Sequence, residues 1–68
     1  MKNLAEQILH FREANDLTQN DLAKMIGGKC QPANISNWEH GKSNPNGTNL
    51  IKLLKAAKRK GFTFKINE

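Results

Sequence analysis

Apolar residues recur along this chain at helical spacing in four separate stretches. In the first, over residues 3 to 14, Leu4, Ile8 and Phe11 fall at i, i+4 and i+7 and share one helix face. Asn3 is placed to cap this helix, with Glu6 as its capping-box partner. Asn15-Asp16 breaks the pattern, because Asn tolerates the left-handed conformation that ends helices. A second helix begins at Thr18, which forms a start signal with Asp21. Leu22, Ala23 and Ile26 then turn inward, with Ala23 small enough for a close helix crossing, and Gly27-Gly28 ends the run.

Pro32 places the third helix, since proline is favoured at the first helical position; Gln31 is then the N-cap. Ile35 and Trp38 point to the core, Ala33, Asn34 and Asn37 point away from it, and Gly41 closes the helix. Trp38 reads as a core anchor, with base stacking as the weaker alternative. Turn-forming residues fill His40 to Gly47, and Thr48 or Asn46 caps a fourth helix with a Leu50, Leu53, Leu54 and Ala57 stripe that runs to Gly61. Phe62, Phe64 and Ile66 then alternate with polar residues, the period-two signal of a strand. A lone strand leaves its backbone groups unpaired. Either the same strand of a second copy pairs with it about a two-fold axis, or the phenylalanines simply cover the core.

The predicted architecture is therefore all-α. It is a small bundle of four to five helices, residues 1–61, with a short C-terminal β-strand over 62–68 that pairs across a dimer. The helix–glycine turn–helix unit over residues 18–41 is the arrangement that places a recognition helix in the DNA major groove.

Composition sharpens this picture. Sixty-eight residues make one domain, a size at which a single core needs help from close helix packing or a partner chain. One cysteine excludes an internal disulfide and leaves a Cys-based metal site implausible, and His10 and His40 have no ligand neighbours at metal spacing. No cofactor is implied. With a net charge of +5, the chain suits a polyanion such as double-stranded DNA. Lys42, Lys52, Lys55, Lys58, Arg59, Lys60 and Lys65 follow Glu39 with no intervening acid before Glu68. A solvated helix face explains Lys58 to Lys60 equally well. No apolar run suits a membrane span or a signal peptide, so a cytoplasmic location without membrane partners is expected. The histidines, the cysteine and the acids form no local nucleophile–base constellation, so no enzyme is expected. Cys30, beside Lys29, is either incidental or a thiol of lowered pKa able to sense oxidation.

Phe11-Arg12, Leu17-Thr18-Gln19 with Leu22-Ala23, Gly27, Ile35-Ser36, Trp38-Glu39 with Gly41, Pro45 and the Leu50/Leu53/Leu54 helix appear in an order that resembles the Cro/repressor-type, lambda-repressor-like (XRE) helix-turn-helix family. The resemblance implies that Gln19 bonds a DNA phosphate and that Arg12 and Glu39 form a partly buried ion pair. Two separate surface charges are the alternative for that pair. The turn through Gly28-Lys29-Cys30 is longer than in relatives, and Pro32 stands where many of them carry a DNA-reading glutamine. Gln31 is the residue able to take over that contact, because glutamine can bond adenine at two edges. The ending TNLIKLLKAAKRKGFTFKI resembles HipB-like antitoxin regulators, in which a C-terminal strand pairs across the dimer.

These readings assign base contacts to Gln31, Ala33, Asn34 and Asn37, and phosphate contacts to Gln19, Lys29, Lys42, Ser43 and Asn44. Phe62, Phe64 and Ile66 are assigned to dimerisation. The expected function is a homodimeric repressor on a pseudo-palindromic operator. Two alternatives stand beside it: an antitoxin that binds a toxin protein and also autorepresses, or a protein-binding adaptor built on the same fold.

Overall fold

The structure, a computed structural model, describes residues 3–45 and 47–65. Four helices are present among them: α1 (Leu4–Ala14), α2 (Gln19–Ile26), α3 (Pro32–Glu39) and α4 (Gly47–Arg59). Helix α3 packs against α1 and α2, and α4 packs against the other flank of the bundle through α2.

The first two helices start where their capping chemistry begins. At α1 the Asn3 side chain accepts the Glu6 N–H at 2.9 Å. At α2 the cap runs both ways: Thr18 Oγ1 accepts the Asp21 N–H, and the Asp21 carboxylate accepts the Thr18 N–H, both at 3.0 Å. These bonds, the one from the Thr18 backbone foremost, hold the exposed Asp21 carboxyl below its usual value of 3.8. A lowered folded-state pKa adds stability above the unfolded value and loses it as pH falls through the folded one. Thr18→Ala is therefore expected to cost about 1 kcal/mol at neutral pH. The gap to wild type should narrow as pH falls below the ordinary aspartate value, which urea denaturation at neutral and at acid pH measures.

Helix ends follow glycine with one displacement. Gly27, with φ of 76°, caps α2 and returns its N–H to Ala23. At the end of α1 the left-handed residue is Asp16, φ 54°, one place later than expected. Asn15 keeps negative φ and instead donates its side-chain amide to the Phe11 carbonyl. Past α4, Gly61 is left-handed and the Phe62 N–H reaches back to the Ala57 carbonyl at 2.9 Å. That is the Schellman pattern, and it turns the chain onto the bundle.

The core is the set the apolar stripes outlined: Ile8, Phe11, Leu22, Ile35 and Leu53 are fully enclosed, with Trp38 at the rim as a core residue. In α4 the stripe shifts slightly, since Ala56 is buried and Leu50 half-exposed. Phe64 belongs to the same core, and Phe62 packs against it. Phe11, Phe62 and Phe64 form an aromatic triangle with centroids 5.1 to 5.8 Å apart.

Of the expected strand over 62–68, the structure describes residues 62–65. Phe62 to Lys65 form no sheet pairing within the described chain. The Gln7 side chain meets the backbone of Lys65 on both sides, donating Nε2–H to its carbonyl at 2.7 Å and accepting its N–H at 2.6 Å. The backbone groups at Lys65 that appeared to need a second copy are satisfied by an amide of the same chain. Ile66, named with Phe62 and Phe64 for dimerisation, lies outside the described residues.

Candidate nucleic-acid interface

The third helix meets the requirements of a reading surface. Pro32 begins it, Ile35 and Trp38 hold its inner face in the core, and Ala33 is exposed on the other side. Asn34 and Asn37 are half-buried at the edges of that outer face. Gln31 is the N-cap but makes no side-chain capping bond, so its amide is not engaged at the helix end. Its exposed position beside Ala33 suits it to a contact outside the molecule.

The far end of α3 organises the following loop. The Asn37 carbonyl accepts the Lys42 N–H at 2.9 Å and the Ser43 N–H at 3.4 Å. His40 Nδ1 sits 2.7 Å from the Ser36 carbonyl, a geometry that calls for the Nδ1–H tautomer. Lys42, Ser43 and Asn44 are thus presented on an exposed loop tied to α3, and Lys29 is exposed in the turn before it.

Beneath this surface lies the charged joint. The Arg12 guanidinium grips Glu39 with two bonds, Nε to Oε2 at 2.6 Å and Nη2 to Oε1 at 3.2 Å. Its Nη1 donates to the Leu17 carbonyl at 3.0 Å. Gln19 adds a third donor to the carboxylate, Nε2 to Oε1 at 3.0 Å. The Glu39 side chain is only 4% exposed and that of Arg12 18%. Hydrogen bonding to Glu39 raises the Arg12 pKa above its ordinary value against the opposing effect of burial. The ends of α1 and α3 and the start of α2 therefore meet at one carboxylate. This is the ion pair expected from the resemblance, and the reading of two separate surface charges is set aside.

Gln19 has a role that spacing alone did not reveal. One amide hydrogen is committed to Glu39, which holds the side chain in a single orientation at the first turn of α2. Asn20, its exposed neighbour, was missed in the sequence and joins the candidates. Both line an open groove with Thr18 and Pro32, so the first turns of α2 and α3 face one surface. The signal for Asn20 was its place in the first turn, where the side chain is free of the core.

Cys30 does not match the reactive thiol considered above. It is half-buried against the core, and burial pushes its pKa up, only partly offset by a hydrogen bond from Asn34. A raised pKa leaves less thiolate at neutral pH, which disfavours redox sensing.

A family model described as Helix-turn-helix matches residues 8–61. The chain belongs to the helix-turn-helix family. The matched span contains all four helix cores, the Arg12–Glu39 joint and the loop that follows α3. It assigns this helix-turn-helix chain to a DNA-binding, transcription-regulating family and upholds the Cro/repressor-type resemblance. The span stops short of Phe62, so it does not bear on the C-terminal strand of the HipB-like ending. No curated protein and no solved structure matches the chain. Among the described residues no group of three His, Cys, Asp or Glu is placed to hold a metal ion. None of the described helices is long and apolar enough to cross a membrane.

Proposed function

We propose that this helix-turn-helix chain is a repressor that reads a pseudo-palindromic operator as a homodimer. The observation that carries the reading is the outer face of α3. Its polar and methyl groups stand clear of the core, while Glu39 at its end is clamped by Arg12 and Gln19. A helix whose orientation is held from behind can present base-reading groups with defined geometry. Gln31 and the two asparagines suit adenine, and the Ala33 methyl suits thymine. Lys29, Lys42, Ser43, Asn44 and Gln19 supply the phosphate contacts that set register. One such helix spans few base pairs, so two copies on half-sites ~34 Å apart are needed for useful discrimination. So small a dimer, bound near a promoter, acts by excluding polymerase.

The test is fluorescence anisotropy with inverted-repeat duplexes selected from a random pool. Gln31→Ala and Asn34→Ala are each expected to remove about 1–3 kcal/mol of preference for the selected site over random duplex. Lys42→Ala is expected to weaken both duplexes alike and to reduce the salt slope by about one. Selection that enriches no sequence, or a Gln31/Asn34 double variant with wild-type DNA affinity, sinks the repressor reading and favours the adaptor.

A further inference from the structure

The DNA-reading assignment leaves one charged surface without a role. Between the end of α2 and the outer side of α4 lies a groove of about 280 Å³, lined by Met25, Ile26, Lys52, Lys55, Ala56 and Arg59. Its floor is apolar: Ile26 and Ala56 are buried, and Met25 forms a half-exposed wall. Its rim is cationic, with Lys52, Lys55 and Arg59 at i, i+3 and i+7 on one side of α4. That spacing extends the row over about 10 Å of helix axis. Lys52 Nζ reaches toward Gly28 across the groove mouth, while Lys55 and Arg59 lie progressively further along.

None of these three cations forms an ion pair or hydrogen bond with a described residue. The described acids lie elsewhere: Glu6 and Glu13 on α1, Asp16 before α2, Asp21 in its first turn, and Glu39 in the ion pair. Ile51, 55% exposed and one turn before Lys55, adds an unshielded apolar side chain next to the row. Phosphate recognition needs the cations but gains nothing from an apolar floor. The groove is also built by α2 and α4, whereas the base-reading candidates stand on α3, which packs against α1 and α2.

We propose that this groove docks an acidic, amphipathic segment of a partner protein. Two or three carboxylates one helical turn apart face Lys52, Lys55 and Arg59, and an apolar side chain between them settles on Ile26 and Ala56 beside Met25. Charge fixes the register and steers the encounter, and the apolar contact holds the complex. This surface is independent of the operator reading, because none of its residues is assigned to DNA.

The experiment uses the full chain and a short fluorescent peptide with glutamates and leucines at three- and four-residue spacing. A second peptide carries glutamine in place of every glutamate. The glutamate peptide is expected to bind at least about tenfold more tightly, with affinity falling as salt rises. Lys55→Gln combined with Arg59→Gln is expected to remove that difference, whereas Lys58→Gln combined with Lys60→Gln, equal in charge change but outside the groove, keeps most of it. All four side chains are exposed, and melting curves verify that both variants stay folded. Equal binding of the two peptides, or equal loss in the two double variants, overturns the proposal. So does a random duplex that binds the Lys55/Arg59 variant more weakly than the Lys58/Lys60 variant, because the row would then serve DNA.

Discussion

Arg12→Met is expected to destabilise the fold by roughly 3–5 kcal/mol, measured as the loss in unfolding free energy in urea. The cost arises because Glu39 stays behind. Its side chain is 4% exposed, and without the guanidinium the Gln19 amide is the one donor left to it among the described residues. The Leu17 carbonyl loses its Arg12 donor at the same time. Glu39→Gln should be milder, about 1–3 kcal/mol, because the partly exposed guanidinium left behind can turn toward water and keeps Leu17. The double variant Arg12→Met with Glu39→Met should recover much of the single loss, since it removes both charges together. Equal and additive losses in the two single variants would mean that the pair is not coupled.

Phe64→Ala is the second large effect, about 3–5 kcal/mol by analogy with other buried aromatics. A domain this small holds about 5 kcal/mol in total, so the variant should be largely unfolded at 37 °C by circular dichroism. Phe64 is 7% exposed and packs edge-on against Phe11 at 5.8 Å, whereas Phe62 is half-buried and should cost less. Comparing the melting temperature at two protein concentrations separates two contributions of the tail. A core role moves the transition equally at both concentrations, and a dimer role makes the transition concentration-dependent. A truncation after Gly61 that leaves the melt unchanged would show that neither contribution matters.

Much of this architecture is visible in the residue pattern because short-range physics dictates it. Thr18 and Asp21, Pro32, Gly27 and the Leu22/Ile26 stripe each act within one or two helical turns, where spacing is a faithful guide to geometry. What escaped is long-range or polar. Gln7 sits next to Ile8 in α1 and looks like a solvent-facing residue, yet it is buried and holds Lys65 from the opposite end of the chain. No periodicity records such a pairing, so the alternation of Phe62 and Phe64 with polar residues gave no sign of it. Gln19 is a similar case, since its bond to Glu39 depends on how α2 and α3 cross. Cys30 was placed beside Lys29 by sequence, but the longer turn folds it inward against the core. Arg12 and Glu39, equally distant in sequence, were legible only because the family resemblance pairs them.

The division of labour along α3 carries a consequence for how binding preference can change. Ile35, Trp38 and Glu39 tie the helix to the bundle, whereas Gln31 and Ala33 are exposed and lie outside the hydrophobic core. On the proposed repressor reading, substitutions at these outward positions alter what is read while leaving folding almost untouched. New operator preferences are therefore reachable through single, individually tolerated steps, with the stability reserve kept for compensating changes elsewhere. On that reading, α3 is in evolutionary terms a replaceable edge on a conservative mount.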